Sequence, residues 1–362
     1  MLTRRKVLAL GAGAIVAGTT SYFFLRRSDH PVLNILGWTG YEERDFLEPF
    51  EKLHGASIRV RTYANADQMV SILLANPDEF DLVVVDPEYL QLLVSKSVID
   101  PVDYSTLDLN GYFTYFQNHP LTRINGKQYA VPIRFGVNAL VFNKEEFDER
   151  QLSSYETLFS QAARGKVGIW DWYLPNMGVI SRSLGNSKPY DLSAEQFDTL
   201  KQQLSRLRPN VGSIYASLPD LVAALAARRI AIAPGVGEFV AAAAANRGAR
   251  VGWTVPKEGG IMWVETMAVC SHSSRKPLAA KFLSWVTTPE AQALLAQRRA
   301  YNSNTPNRLA YPLLSSEQRQ YLNAETAQET ERLIGRLSVR TLPANQTPQE
   351  WQEVWRGFKG GV

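Results

Sequence analysis

Apolar and polar positions follow two alternating rhythms from residue 32 onward. Val32 to Leu36 is a short apolar run. Phe46, Leu47, Phe50 and Leu53 then recur at helical spacing as far as Gly55, a residue that tolerates the positive φ of a helix end. Ile58, Val60 and Thr62 alternate with Arg59 and Arg61 as in a strand, Met69 to Leu74 predicts a helix, and Leu82 to Val85 is an unbroken apolar strand. The order strand, helix, strand, helix, strand implies an α/β fold, a mostly parallel sheet with helices on its faces. In such sheets ligands bind beyond the carboxyl ends of the strands. The segments Trp38 to Tyr41 and Asp86 to Tyr89 fall there.

Further on, Val131 to Phe142 reads as two extended apolar segments broken at Gly136, a natural passage between two lobes. Leu218 to Arg229 predicts a helix, and Ile230 to Ala233 a buried strand ending in a Pro234-Gly235 turn. Val251 to Trp253 and Thr266 to Val269 are short strands. Pro277 to Trp285 and Pro289 to Gln297 are helices that begin with proline, where its missing N–H costs nothing. A polar stretch near Pro343 to Pro348 reads as a tail. At 362 residues the chain has room for about two domains at ~150 residues each, and no linker or repeat separates them. The second lobe is therefore woven from discontinuous segments.

Charge changes the picture at one place. With 39 Lys+Arg against 35 Asp+Glu the chain carries +4, which at first suggests an acidic partner. Five of those bases, Arg4, Arg5, Lys6, Arg26 and Arg27, flank an apolar run from Val7 to Leu25 in a leader of 28 residues that holds no acid. This is the pattern of an export signal. Thr3 to Leu8 resembles a twin-arginine motif, and Tyr22 to Leu25 lengthen the run enough that an uncleaved anchor is a second reading, since ~17 to 25 apolar residues span a bilayer. Either reading places the rest of the chain outside the cytoplasm, in the periplasm. Without the leader the body is near neutral and no basic patch interleaves with aromatics, so the nucleic-acid reading falls away.

The single cysteine, Cys270, excludes an intrachain disulfide and a cysteine-rich zinc site. His30, His54, His119 and His272 form no helical metal pair and read as surface or loop residues. No metal or cofactor framework is visible. An exported hydrolase would need an activated nucleophile, yet neither a G-x-S-x-G elbow nor an S-x-x-K site is present.

Several segments together resemble the periplasmic spermidine/putrescine-binding proteins of ABC importers. Residues 32–53 (VLNILGWTGYEERDFLEPFEKL) are similar to that family's opening strand, aromatic loop and first helix. Asp81 to Asp86 (DLVVVD) resembles its D-L-V-V strand, and Val131 to Gly136 its crossover. Val255 to Glu265 (VPKEGGIMWVE) is similar to its W-P-K-E-G-G-x-x-W-x-D segment, and Tyr301 with Thr305-Pro306-Asn307 to a later region. The resemblance runs in order from about residue 32 to 310. It implies a two-lobed periplasmic-binding-protein fold, type II-like, with a ligand cleft between the lobes and crossing strands as hinge. It also implies a monomer that captures a small molecule for a membrane permease and carries out no bond chemistry. On that pattern lobe 1 takes residues 29–137 and 264–308, and lobe 2 takes 138–263 and 309–362.

A polyamine is a thin methylene chain ending in ammonium groups, so its site needs aromatic walls and carboxylates. By the resemblance, Trp38, Tyr41, Trp263 and Tyr301 are the aromatic candidates and Glu265 the amine-binding acid. The chain also departs from the family. Gly168 to Met177 (GIWDWYLPNM) offers Asp171 as its only acid, beside Trp170, Trp172 and Tyr173, and Pro234 replaces an aromatic. Asp86 and Glu88 add carboxylates where the family has a serine and a tyrosine, although Asp86 before Pro87 equally suits a helix N-cap. Arg134 in the crossover either clamps a carboxylate of an amino-acid-like ligand or pairs with an acid of the cleft. A third class of function is a membrane-anchored sensor or scaffold on the same fold.

Overall fold

Parallel pairing dominates the first part of the chain, as the strand-helix alternation requires. The computed structural model describes residues 30–299 and 301–362, so the expected leader lies outside the described residues. β1 (Val32–Trp38) pairs in parallel with β2 (Ser57–Tyr63) on one side and β3 (Leu82–Val85) on the other. The connecting helices Arg44–His54 and Ala66–Ala75 bury Phe46, Leu47, Phe50, Met69 and Leu73 against the sheet. Gly55 ends the first helix at φ 58°, its N–H returned to the Glu51 carbonyl.

The short strands β4 (Ile99–Asp100), β5 (Arg123–Ile124) and β6 (Lys127–Gln128) precede β7 (Val131–Asn143), a continuous strand of 13 residues buried at every position. The break expected at Gly136 is absent. A Cβ at Gly136 would stand 2.0 Å from Glu238 Oε1 and 2.3 Å from the Trp263 ring, so glycine admits close packing there and interrupts nothing. β8 (Val167–Trp170), β9 (Val211–Tyr215), β10 (Ile232–Val236) and β11 (Val251–Thr254) build the second part of the sheet. Pro234 and Gly235 lie inside β10 at a register shift, and no turn forms there. β12 (Gly260–Cys270) then runs back antiparallel to β7, and β13 (Leu337–Val339) joins its start in parallel.

The sheet order is β2-β1-β3-β12-β7-β10-β8-β9, so β7 and β12 are the two long strands that join one lobe to the other. Both faces of these strands are covered, which explains their unalternating apolar sequence. One core forms under β1 to β3, others under β8 to β11, and another beside Phe135, Met262 and Val264. The polar stretch after Pro343 leads into the helix Pro348–Lys359, opened by a Thr347/Glu350 capping box and seated in the second lobe through Trp351, Trp355 and Phe358. No helix among the described residues is long and apolar enough to cross a membrane.

Candidate functional site

Register places the first pair of site residues. Glu265 and Arg134 are directly opposed on β12 and β7, and their side chains meet in a buried fork. Arg134 Nε donates to Glu265 Oε2 at 2.7 Å and Nη2 to Oε1 at 3.0 Å. The Tyr41 hydroxyl donates to Glu265 Oε2 at 2.6 Å, and Arg134 Nη1 donates to the Tyr301 carbonyl at 3.1 Å. The guanidinium carbon lies 4.9 Å from the Tyr41 ring, 5.1 Å from Tyr301 and 5.9 Å from Trp263. Glu265, expected to meet a ligand amine, already holds a cation of the protein. Of the two roles open to Arg134, it takes the pairing with an acid.

The second centre follows β3. The Asp86 carboxylate makes no cap hydrogen bond to the 3₁₀ turn Pro87–Tyr89, where only the Asp86 backbone carbonyl accepts from the Tyr89 N–H, so the side chain is not used as a cap. Its Oδ2 accepts from Arg340 Nη2 at 2.7 Å, and Glu88 Oε1 accepts from Arg340 Nε at 2.6 Å. Arg340 follows β13 directly, and its N–H donates to the Met262 carbonyl. Its guanidinium carbon lies 4.4 Å from the centre of the Trp172 ring. All three charged side chains are buried. Burial raises the Asp86 pKa well above the usual range and Glu88 adds to the rise, while Arg340 opposes it. The two centres adjoin. Thr266 of β12 faces Val85 of β3 and donates its hydroxyl to the Val85 carbonyl, and Glu265 contributes to the rise at Asp86.

The aromatic residues divide between wall and core. Trp263 is almost wholly buried against Phe239 and Tyr301, and Tyr301 stacks on Phe239 at 4.6 Å and 16°. Trp38 rests on Tyr63 at 4.5 Å. Trp38, Tyr89, Trp172 and Tyr301 remain half-buried around the two ion pairs. Asp171 stands apart from them. Its carboxylate accepts from Trp355 Nε1 at 2.8 Å and from Lys359 Nζ at 2.7 Å, which fastens the C-terminal helix.

Three charged residues were not anticipated. Arg340 sits in Arg336-Leu-Ser-Val-Arg340, a short alternating stretch whose partners lie 252 and 254 positions earlier. Arg298 is buried over the Tyr41 ring at 4.5 Å, with Glu43 4.0 Å away, and burial with the nearby Arg134 lowers its pKa to about 10. Glu238 starts the helix Glu238–Ala245 and accepts from the Val137 N–H of β7 at 3.1 Å. Burial pushes its carboxyl up to about 8. His119 lies in a loop as expected, but it is buried against Phe116. Among the described residues no cluster of His, Cys, Asp and Glu could hold a metal ion.

The family described as bacterial extracellular solute-binding protein matches residues 45–320. The spermidine/putrescine-binding periplasmic protein of Escherichia coli strain K12 is 26% identical over 314 residues, covering 85% of this chain and 86% of that protein. A crystal structure of a spermidine/putrescine ABC transporter substrate-binding protein from Streptococcus pneumoniae strain Canada MDR_19A has a TM-score of 0.78 at 18% identity. It covers 91% of this chain and 99% of that one. A structure described as a GABA receptor has a TM-score of 0.68 at 17% identity, covering 91% and 97%. With its two-lobed fold and these relatives, the chain is a solute-binding protein of the ABC-transporter type, not an enzyme, and belongs to the bacterial extracellular solute-binding protein family.

Proposed function

We propose that this protein captures a small amine-bearing organic solute between its lobes, outside the cytoplasm, and delivers it as a monomer to the permease of an ABC importer. The observation that supports this reading is the imbalance at Asp86 and Glu88. Two buried carboxylates share one guanidinium there, whereas Glu265 is matched by Arg134. An ammonium group arriving beside Arg340 would stabilise the charged form of Asp86, whose pKa burial and Glu88 hold high. The half-buried rings of Trp38 and Tyr89, beside Asp86 and Glu88, suit a cation and its methylene chain. The polyamine class is that of the relatives above, and the pairing of Arg134 with Glu265 and of Arg340 with Asp86 and Glu88 favours an amine with one ammonium group over a dicationic or tricationic polyamine. Arg134, with its fork committed to Glu265, has less to offer a ligand carboxylate.

Calorimetry of the chain with butylamine, 4-aminobutyrate, putrescine and spermidine tests the reading. The expected result is saturable binding of the one-ammonium probes, with spermidine weaker. Absence of heat with every amine would remove this reading and leave the anchored sensor or scaffold. Binding of a carboxylate lacking an amine, lost in Arg134→Ala, would replace it with a carboxylate binder.

A further inference from the structure

We infer that Arg340 is a tethered ligand: its guanidinium occupies a cation site of the cleft and sets the solute specificity by filling the place of a second ammonium group. The inference rests on the amine reading above for its choice of diamine, and on the geometry alone for the site. Arg340 makes the contacts that an organic cation needs, two buried carboxylates and an aromatic face. Those contacts come from both sides of the cleft. Asp86 and Glu88 follow β3 in one lobe, and Trp172 follows β8 in the other.

The way Arg340 arrives also sets it apart from an ordinary core ion pair. It lies beyond residues 45–320, the span matched by the family, on a segment attached to the sheet through the three residues of β13. Arg134 is built into a crossing strand, whereas Arg340 is delivered to the acids from the end of a later connection. A resident cation of this kind excludes solutes by occupying their position and by repelling a second positive charge.

The test compares the full chain with Arg340→Ala, using methylguanidinium chloride and putrescine as probes. If Arg340 fills a ligand site, methylguanidinium should raise the melting temperature of Arg340→Ala and not that of the parent, relative to sodium chloride at equal ionic strength. Putrescine should bind Arg340→Ala about tenfold or more tightly than it binds the parent, and its gain should exceed that of butylamine. The gain for putrescine separates this role from a purely structural arginine, whose vacated space methylguanidinium would also refill. Rescue by methylguanidinium with no gain for putrescine leaves Arg340 a structural ion pair and overturns the inference, whereas absence of binding by every amine to parent and variant alike removes the amine reading. Neither rescue nor a gain for putrescine overturns the inference, even where the parent binds amines well. If Arg340→Ala does not fold, Arg340→Gln takes its place. Failure of both to fold with methylguanidinium present overturns it too.

Discussion

Two buried guanidinium groups occupy the middle of this molecule, and they reach their carboxylates by different routes. Arg134 and Glu265 are opposed residues on two long paired strands, so the ladder itself sets their distance, and the Tyr41 hydroxyl and Tyr301 carbonyl complete the set. Arg340 meets Asp86 and Glu88 across more than two-thirds of the chain, positioned by a three-residue strand. The first centre belongs to the frame that joins the lobes. The second depends on the docking of a late segment.

Removing Arg134 should cause the larger loss. Arg134→Ala would leave Glu265 buried with the Tyr41 hydroxyl as its remaining partner, and truncating one member of such a pair costs about 3 to 5 kcal/mol. Denaturant unfolding should show that loss, and Arg134→Lys should recover little of it because an ammonium cannot reproduce the two-pronged contact. Arg340→Ala should cost less, because Asp86 and Glu88 can share a proton once the guanidinium is gone. Equal losses at the two positions would erase the distinction between frame and exchangeable centre.

Glu238 extends the comparison into pH. It is fixed to the frame through the Val137 N–H of β7, and its carboxyl titrates near 8 in the fold against 4.5 as a free side chain. Between those values the folded chain binds a proton that the unfolded chain has released. Stability contributed by this group is therefore present below about 4.5 and is lost as pH rises through 8. The slope approaches ~1.4 kcal/mol per pH unit within the window. Unfolding measured from pH 5 to 8 should show this decline, and Glu238→Gln should flatten it. An unchanged slope in the variant would assign the pH dependence elsewhere.

The frame was more legible in the sequence than the exchangeable centre, for physical reasons. The β1 to β3 region was legible because each element repeats its apolar positions at its own period, and Gly55 marks a real helix end. Gly136 misled because a glycine in a strand signals either a break or a close approach, and the Trp263 and Glu238 side chains that decide between them come from distant segments. Of the nine candidate site residues, Tyr41, Arg134, Trp263, Glu265 and Tyr301 do converge. Their being already paired with one another was not legible, because an acid's sequence does not disclose which cation neutralises it. Asp171 shows the same limit. As the only acid among the aromatics of Gly168 to Met177 it read as a ligand-binding carboxylate, while its partners Trp355 and Lys359 lie in a helix that the polar tail concealed.

The finest contrast is between the two tryptophans beside the two guanidinium groups. Trp263 is nearly sealed in the core with Phe239 and Tyr301, but its ring centre is 5.9 Å from the Arg134 guanidinium carbon, near the limit of a cation–π contact. Trp172 is half-buried, yet its ring lies 4.4 Å from Arg340. Trp263→Leu should therefore cost more in unfolding, through lost packing, but couple weakly to Arg134. Trp172→Leu should cost less and couple more strongly, with a double-mutant-cycle energy against Arg340→Gln of about 1 kcal/mol, inside the range for a partly desolvated cation–π pair. If the cycle for Trp172 and Arg340 closes without coupling while that for Trp263 and Arg134 does not, the aromatic face is not part of what holds Arg340. Its position would then rest on the two carboxylates and the β13 docking alone.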